Sequence, residues 1–223
     1  MTSNLRRTLG GMLTLAVVLS AAKARAQKLE KPSAPPADAA PAAATASGPT
    51  SFGDAGQLTL SAERLFGYSW RHRTQGTAHD SLSTFSLLAD PEGAGAAGYA
   101  WPRLGFDYFV VRGISLGAAA SFFRSSGIGA ATTGYELAPR LGYAAVVGPW
   151  LTVWARAGFT YFHATAERFS AITIEVPLVI AVAPHLSLLI APAADIGIAG
   201  NINPGGSAKD TDLGLSFGLA LSF

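Results

Sequence analysis

The sequence contains no cysteine and few charged residues. Without cysteine, the chain can form neither disulfides nor thiolate metal sites. Charged residues make up 13% of the 223 residues, about half the share that is usual in soluble domains. Lys209 is the only lysine after residue 31. Since 49% of the residues are hydrophobic, we expect much of the surface to contact something other than water.

The small positive net charge comes from the N-terminus. Of the 16 lysines and arginines, 4 lie in residues 1–26, which leaves 12 bases against 14 acids in the rest of the chain. The remainder therefore carries a net charge of −2 and has no basic cluster of the kind that binds phosphates of nucleic acids. We expect no nucleic-acid partner.

The N-terminus has the charged, apolar, small-residue order of a secretory signal. Arg6 and Arg7 precede an apolar run over residues 9–22, and Ala24 and Ala26 follow it at alternate positions. This pattern predicts a signal peptide over residues 1–26, with cleavage after Ala26. An anchoring helix is disfavoured because the run is shorter than the roughly 20 residues that cross a bilayer.

Alanine and proline dominate residues 27–56, and apolar periodicity is absent there. Such a segment buries too little surface to offset its ordering entropy. We therefore predict a disordered tether over 27–56, lying in the periplasm, followed by a transmembrane β-barrel over 57–223.

Apolar residues occupy every second position near the C-terminus, which indicates a strand. Seven segments between residues 103 and 223 repeat this alternation. Their second face carries glycine, serine, threonine and a few charges, whereas the solvent face of a soluble barrel or sandwich is rich in lysine and glutamate. The pattern therefore predicts an apolar face toward lipid and a polar face toward a lumen.

Strands in lipid must satisfy every backbone hydrogen bond, so they must close into a barrel. With a first strand over about 57–70, the pattern predicts about eight antiparallel strands; ten is the alternative. Residues 83–88 are also strand-like, and we interpret them as part of an outer loop or an extension of neighbouring strands. Strict alternation would send Arg64 to the lipid, so a bulge near Glu63 and Arg64 is expected to turn it inward.

The charged residues on the predicted lumen face are the candidate functional residues. They fit a charge-lined, gated channel. They also fit a paired polar core in a barrel too narrow for water flow, which we favour because acids and bases are mixed. The predicted lumen network comprises Glu63, Arg103, Asp107, Glu136, Arg140, Arg156, Glu175 and Asp195.

The sequence gives only weak signals for a metal site or a catalytic site. Three of the four histidines, His72, His79 and His163, fall near the predicted outer rim, and His185 falls in a turn at the opposite end. The first three could meet to hold a metal ion, but solvated loop histidines are the favoured interpretation, and no cofactor is expected. His163, Glu167 and Ser170 supply the residue types of a catalytic triad, but their spacing matches no lipid-deacylase or protease motif. Aromatic residues near the strand ends, Trp101 and Phe162 among them, are interpreted as interfacial girdles.

At these residues the chain resembles the outer-membrane β-barrel superfamily that includes the small OmpA-type and OmpW-type barrels. The resemblance covers about 57–223, and its sharpest element is a final aromatic preceded by alternate apolar residues. It implies insertion by the barrel assembly machinery and delivery by periplasmic chaperones. The residues matching this assembly signal are Leu215, Phe217, Leu219, Leu221 and Phe223.

The expected function is that of a non-enzymatic integral protein of the bacterial outer membrane, in contact with its lipids. The lumen is expected to be plugged, and the role to be structural, envelope-stabilising or one of surface interaction with an unknown ligand. The alternative is a small pore or hydrophobic-solute channel. A lipid-modifying enzyme is the third hypothesis, since barrels of this kind include enzymes.

Overall fold

A computed structural model describes residues 51–87, 101–125 and 132–223, which form an all-β structure. The predicted signal peptide, with its cleavage positions Ala24 and Ala26, lies outside these residues, as does the tether up to residue 50. Within the described ranges, no helix is long and apolar enough to cross a membrane.

Eleven strands are present in the described residues. Most are long, because their alternating sequences continue well beyond the short links between them. The strands are β1 Leu58–Gln75, β2 Ala78–Leu87, β3 Arg103–Val111, β4 Ile114–Ser125, β5 Thr132–Gly148, β6 Leu151–Ala164, β7 Glu167–Glu175, β8 Leu178–Ala183, β9 Leu186–Ile202, β10 Gly206–Ser207 and β11 Lys209–Ser222.

The strands close into a barrel with eight positions in its wall. Antiparallel pairing runs through β9, β11, β1, β3, β4, β5, β6 and β7, and β7 pairs with β9 to complete the ring. The strand β8 pairs with the same neighbours as β7, so both belong to one wall position that is interrupted near Pro177. Proline has no N–H to give to the ladder, which explains the break. The predicted count of about eight is confirmed.

The strand-like segment around residue 83 extends an existing wall position. Its strand β2 pairs with the C-terminal part of β1, from Phe66 to Gln75, whereas β3 pairs with the N-terminal part, from Leu58 to Glu63. The strands β2 and β3 therefore follow one another along β1. This is why the segment does not add a ninth strand to the ring.

The two ends of the barrel differ. One end, called here the Phe223 end, holds the C-terminus and the short links at residues 112–113, 149–150 and 184–185. The other, called the Gln75 end, holds the β1–β2 turn, the turns around residues 165 and 204, the end of β4 and the start of β5.

The exposed face of the wall is apolar and the buried face is mixed, which is the inverse of a soluble sheet. On β3, Leu104 is 73% exposed, while the neighbouring Arg103 and Asp107 are buried. The same inversion recurs on β11, where Leu219 is exposed and Ala220 is buried. The predicted face assignment is thus present in the structure.

Two apolar clusters fill the interior on either side of the polar residues. The cluster nearer the Phe223 end is built around Phe109 and Trp154, and the cluster nearer the Gln75 end around Phe123, Phe162 and Phe169. The prediction of Phe162 as a girdle residue is wrong, because alternation on β6 points its ring inward. Trp101 also packs inside, with its ring centroid 4.3 Å from that of Phe123.

The last residues of the predicted tether are ordered. Residues 51–56 form turns beneath the interior, and the Phe52 ring lies edge-on to Phe109 and Trp154 at centroid distances of 5.4 and 5.2 Å. Gly53 accepts a hydrogen bond from the backbone of Gly113 at 2.7 Å, with a φ of 93° that glycine tolerates. The segment therefore covers the interior at the Phe223 end.

Candidate functional site

The structure brings the eight predicted lumen residues together in the middle of the barrel, between the two apolar clusters. All eight side chains are buried, and they belong to six different strands. A ninth charged residue, Arg64, joins them. The term "central ion cluster" is used below for Glu63, Arg64, Arg103, Asp107, Glu136, Arg140, Arg156, Glu175 and Asp195.

Arg103 connects carboxylates from three sides of the interior. Its Nε donates to Oε2 of Glu63 at 2.9 Å, and its Nη1 donates to Oε1 of Glu136 at 3.2 Å. Its Nη2 also contacts Oε1 of Glu175. Since these carboxylates lie on β1, β5 and β7, one guanidinium links three separate parts of the wall.

Two further arginines, Arg140 and Arg156, share carboxylates with Arg103. Arg140 donates from Nη1 and Nη2 to the two oxygens of Glu63, both at 2.8 Å, and from Nη2 to Asp107 at 2.5 Å. Arg156 donates to Glu63 at 2.5 Å and to Glu175 at 2.8 Å. Glu63 therefore accepts hydrogen bonds from three guanidinium groups, which offset the cost of burying its charge.

A bulge in β1 places the fourth arginine in the cluster. The register between β1 and β11 shifts between Ala62 and Phe66, and Arg64 lies within the shift with a φ of 55°. Its Nη2 donates to Glu175 and Asp195, each at 2.9 Å. The predicted bulge is present, and it turns a lipid-facing position into an interior one.

The cluster is nearly neutral, with four arginines against five carboxylates. Closely paired charges of both signs do not concentrate one type of ion, unlike a ring of one sign in a selective pore. The composition therefore favours a cross-linked core over a selectivity filter.

Little free volume remains around these side chains. Three cavities border the cluster, with volumes of about 30, 10 and 10 Å³. One water needs about 10–15 Å³ on this measure. Each of these three cavities therefore has room for about one or two waters.

A second charged group lies inside the barrel toward the Gln75 end. Arg73 donates to Asp210 at 2.8 Å and to Glu167 at 3.2 Å, and its guanidinium lies 4.9 Å from the centroid of the Phe169 ring. Arg71 approaches Asp210 at 3.8 Å. These contacts connect β1, β7 and β11 beside the apolar cluster that contains Phe169.

A larger cavity lies at the Phe223 end. Its volume is about 490 Å³, and its lining includes Phe52, Trp150, Val179, His185 and Ser222. Phe52 and Val179 also belong to the apolar cluster that fills the barrel above it. The cavity is therefore a vestibule that ends at packed side chains.

The four histidines do not converge on one site. His72 and His79 stack at a centroid distance of 5.9 Å on the β1–β2 hairpin. His163 lies on β6 beside Tyr135, and His185 lies in a turn at the other end, where its Nδ1 is 2.6 Å from the carbonyl of Ser222. In residues 51–87, 101–125 and 132–223, no group of histidine and acidic side chains is arranged to hold a metal ion.

The residue types of a catalytic triad are not assembled. Glu167 points into the barrel and binds Arg73. His163 directly follows the inward-facing Phe162 on β6 and therefore lies on the outward face. Ser170 pairs with Tyr161 across β6 and β7. The acid is on the other side of the wall from the histidine and cannot orient it.

The chain was also compared with known proteins. No protein-family model matches it, and no curated protein matches it significantly. Among solved structures, it is similar to Neisserial surface protein A at 12% identity and a TM-score of 0.48, over 75% of this chain and 99% of that one.

Two other solved structures have comparable similarity. The outer membrane protein AlkL, determined in DMPC lipid bilayers, is 13% identical with a TM-score of 0.46, over 86% of this chain and 97% of that one. The N-terminal β-barrel domain of Pseudomonas aeruginosa OprF is 10% identical with a TM-score of 0.45, over 76% and 98%. The barrel fold of the present chain is established by its own closed ring of strand pairs.

Proposed function

We propose that this chain is a non-enzymatic outer-membrane β-barrel protein whose closed, ion-paired lumen suits a structural or surface-interaction role in the envelope. The observation that carries the proposal is the central ion cluster. Arg103 joins carboxylates on three strands, and apolar side chains fill the barrel on both sides of it.

The dimensions of the apolar surface support residence in a membrane. On β11, outward apolar residues recur from Leu213 to Leu221 and end at Phe223, which spans ten residue steps. At about 3.3 Å per residue and a tilt of about 40°, this corresponds to a height of about 25 Å. The apolar band of outer-membrane barrels has about this height.

The strand count and the lengths of the turns support one orientation in the membrane. An even number of wall positions puts the start of β1 and the end of β11 at the same end, as the pairing of Leu58 with Phe223 shows. Short turns at that end are typical of the periplasmic side of such barrels. In this orientation the Phe223 end and the tether lie in the periplasm, and the Gln75 end faces outward.

The closed lumen favours this role over that of a channel. Opening a path would require several arginines to leave buried carboxylates, and breaking one buried pair typically costs about 3–5 kcal/mol. The observation that favours a channel is the vestibule at the Phe223 end, whose volume of about 490 Å³ admits a small solute. A solute there would still have to displace Phe52 and Trp154 before reaching the cluster.

Planar-bilayer recording of the refolded full chain tests the proposal. We expect no steady single-channel conductance from the unaltered protein. Steady conductance that is abolished or altered in selectivity by Glu136→Gln or Arg140→Gln would overturn the closed-lumen assignment. Folding of each variant is checked by the faster migration of folded barrels on unboiled gels.

The non-enzymatic part of the proposal has its own test. Total lipids are analysed from cells with and without the expressed chain, and the two profiles are expected to be the same. A lipid product that appears with the unaltered chain would contradict the proposal.

A further inference from the structure

Charges are segregated between the two faces of the wall near the Gln75 end. Eight of the nine acidic side chains on the described strands lie on the inward face and are at least half buried. These eight are Glu63, Asp107, Glu136, Glu167, Glu175, Asp195, Asp210 and Asp212. The ninth, Asp80, is exposed and pairs in register with the inward-facing Arg73.

Three permanent cations at this end point the other way. Arg124 on β4, Arg168 on β7 and Lys209 on β11 are exposed, and each alternates with a buried neighbour. These three residues are called the outward cations below. Within residues 51–87, 101–125 and 132–223, no carboxylate lies within ion-pair distance of any of them. Unlike the inward arginines, the outward cations have no anionic partner among the described side chains.

Arg124 lies just beyond an exposed aromatic residue. Arg124 follows Phe122 by two residues on the same face of β4, and Phe122 is 77% exposed. Two residues along a tilted strand raise a side chain by about 5 Å. Arg124 is therefore placed at headgroup depth if Phe122 contacts the lipid tails.

The other two outward cations lie on other parts of the ring. Arg168 pairs with His163, which in turn pairs with Tyr135 across β6 and β5. Lys209 lies four residues beyond the exposed Leu213 and pairs with Thr74. The strands that carry them are not neighbours in the wall, so the cations are distributed around the barrel rather than gathered in one pocket.

We propose that the outward cations bind the phosphate-bearing headgroups of anionic lipids in the outer leaflet. This inference rests on the proposed membrane residence. The three side chains lie on the same outward face of the wall as the apolar residues. They therefore point toward the surrounding membrane and away from a partner that approaches the open end of the barrel. Anionic headgroups supply the charge that the described part of the wall does not offer them.

The histidines enlarge the polar surface at this level. His72 and His79 lie on the outward face of the β1–β2 hairpin, next to the β11 strand that carries Lys209. Their imidazole nitrogens lie 3.0 Å from Ser81 and 3.3 Å from Thr74, respectively. A hydrogen-bonding surface above the aromatic residues suits phosphate and sugar groups of a lipid headgroup.

Lipid selectivity of the full chain tests this proposal. The refolded protein is placed in nanodiscs made from a nine-to-one mixture of phosphatidylcholine and phosphatidylglycerol. The lipids that stay on the protein are then identified by native mass spectrometry. We expect enrichment of phosphatidylglycerol on the unaltered protein at low salt, and a decrease as salt screens the charges. Absence of enrichment at low salt would overturn the proposal without any variant.

Substitutions locate the binding groups. Because the three cations are separate, each of Arg124→Gln, Arg168→Gln and Lys209→Gln is expected to remove about one third of the enrichment, by removing the attraction of about 1 kcal/mol that one basic residue exerts on anionic lipid. The triple variant is expected to show no enrichment. The matched control is Arg112→Gln, which removes an exposed arginine at the Phe223 end that already faces Asp54 at 3.7 Å. Equal loss in the control and the test variants would contradict the assignment.

Two further arms separate the alternatives. Added inorganic phosphate is expected to leave the retained lipids unchanged, and full displacement would show a soluble-anion site and overturn the lipid assignment. Flotation of the protein with vesicles of the same lipid mixture reports insertion, and the gel shift reports folding, independently of lipid selectivity. Failure to insert contradicts the proposed function, whereas normal insertion without selectivity contradicts only this inference.

Discussion

Arg64 of β1 donates to Glu175 of β7 at 2.9 Å across the interior, although β11 and β9 separate these strands in the wall. The contact is possible because the β1 bulge turns Arg64 inward. A barrel in which side chains from non-neighbouring strands bond directly has little room for flow. Buried contacts of this kind also make stability sensitive to the loss of one partner.

Replacing Arg64 by glutamine is expected to lower the free energy of unfolding by about 3–5 kcal/mol, because Glu175 and Asp195 each lose a charged donor. Urea unfolding in lipid vesicles, followed by tryptophan fluorescence and the gel shift, measures the change. Arg112→Gln is the control, since its exposed pair with Asp54 is expected to contribute less than about 1 kcal/mol. Similar losses in the two variants would contradict the ion-paired core.

Gly105 is expected to tolerate no larger side chain. A Cβ there would lie 2.5 Å from Nη2 of Arg140 and 2.9 Å from Oε1 of Glu63, and would also meet Ser61. Gly105→Ala is expected to cost about 1–3 kcal/mol through overpacking, measured by the same unfolding experiment. Gly148→Ala is the matched control, because no atom lies within 4 Å of its added Cβ. A neutral Gly105→Ala would show that the cluster is loosely packed.

Phe52 is expected to hold the segment at residues 51–57 in place. Its two edge-on ring contacts are each worth about 0.5–1.5 kcal/mol beyond the area that they bury. Phe52→Ala is therefore expected to release the segment while the barrel stays folded, and Phe52→Leu is expected to retain part of the packing. A cysteine at position 51, introduced into this cysteine-free chain, reports release through faster maleimide labelling. Equal labelling rates in the unaltered, Phe52→Ala and Phe52→Leu proteins would contradict the role of Phe52 in holding this segment.

Phe223 and the alternate residues before it are expected to act mainly in assembly. The backbone of Phe223 pairs with Leu58 at 2.9 and 3.0 Å, and these bonds do not depend on the aromatic ring. Phe223→Ala is therefore expected to reduce the amount of folded barrel in the outer membrane of cells, with little effect on refolding in detergent. Leu58→Ala, on the partner strand, controls for lost apolar area. An equal defect in refolding would assign Phe223 a structural role instead.

The period-two alternation in the sequence predicts the strands, the inverted faces and the eight wall positions. The bulge at Arg64 follows from the cost of exposing a guanidinium to lipid, and the mixed charges indicate a paired core. These features depend on local spacing and on the charge of individual residues, which a sequence displays directly.

Other features depend on contacts between distant parts of the chain. Trp154 and Phe109 are inward aromatics on strands whose outward residues are also apolar, so alternation alone does not reveal two apolar layers. The packing of Phe52 in an Ala/Pro-rich segment depends on the ring pocket that Phe109 and Trp154 form. Arg103 contacts three particular carboxylates because closure of the barrel brings their strands around it. The local sequence pattern does not show which strands will face one another.

The central claim is that the apolar face contacts lipid while the polar face lines a closed interior. Because the chain has no cysteine, nitroxide labels can be attached at single introduced cysteines along β11 in lipid vesicles. Labels at Leu215 and Leu219 are expected to collide often with oxygen and rarely with a water-soluble nickel chelate, whereas a label at Ser216 is expected to show low collision rates with both. Frequent nickel collisions at Leu215 and Leu219 would contradict the account.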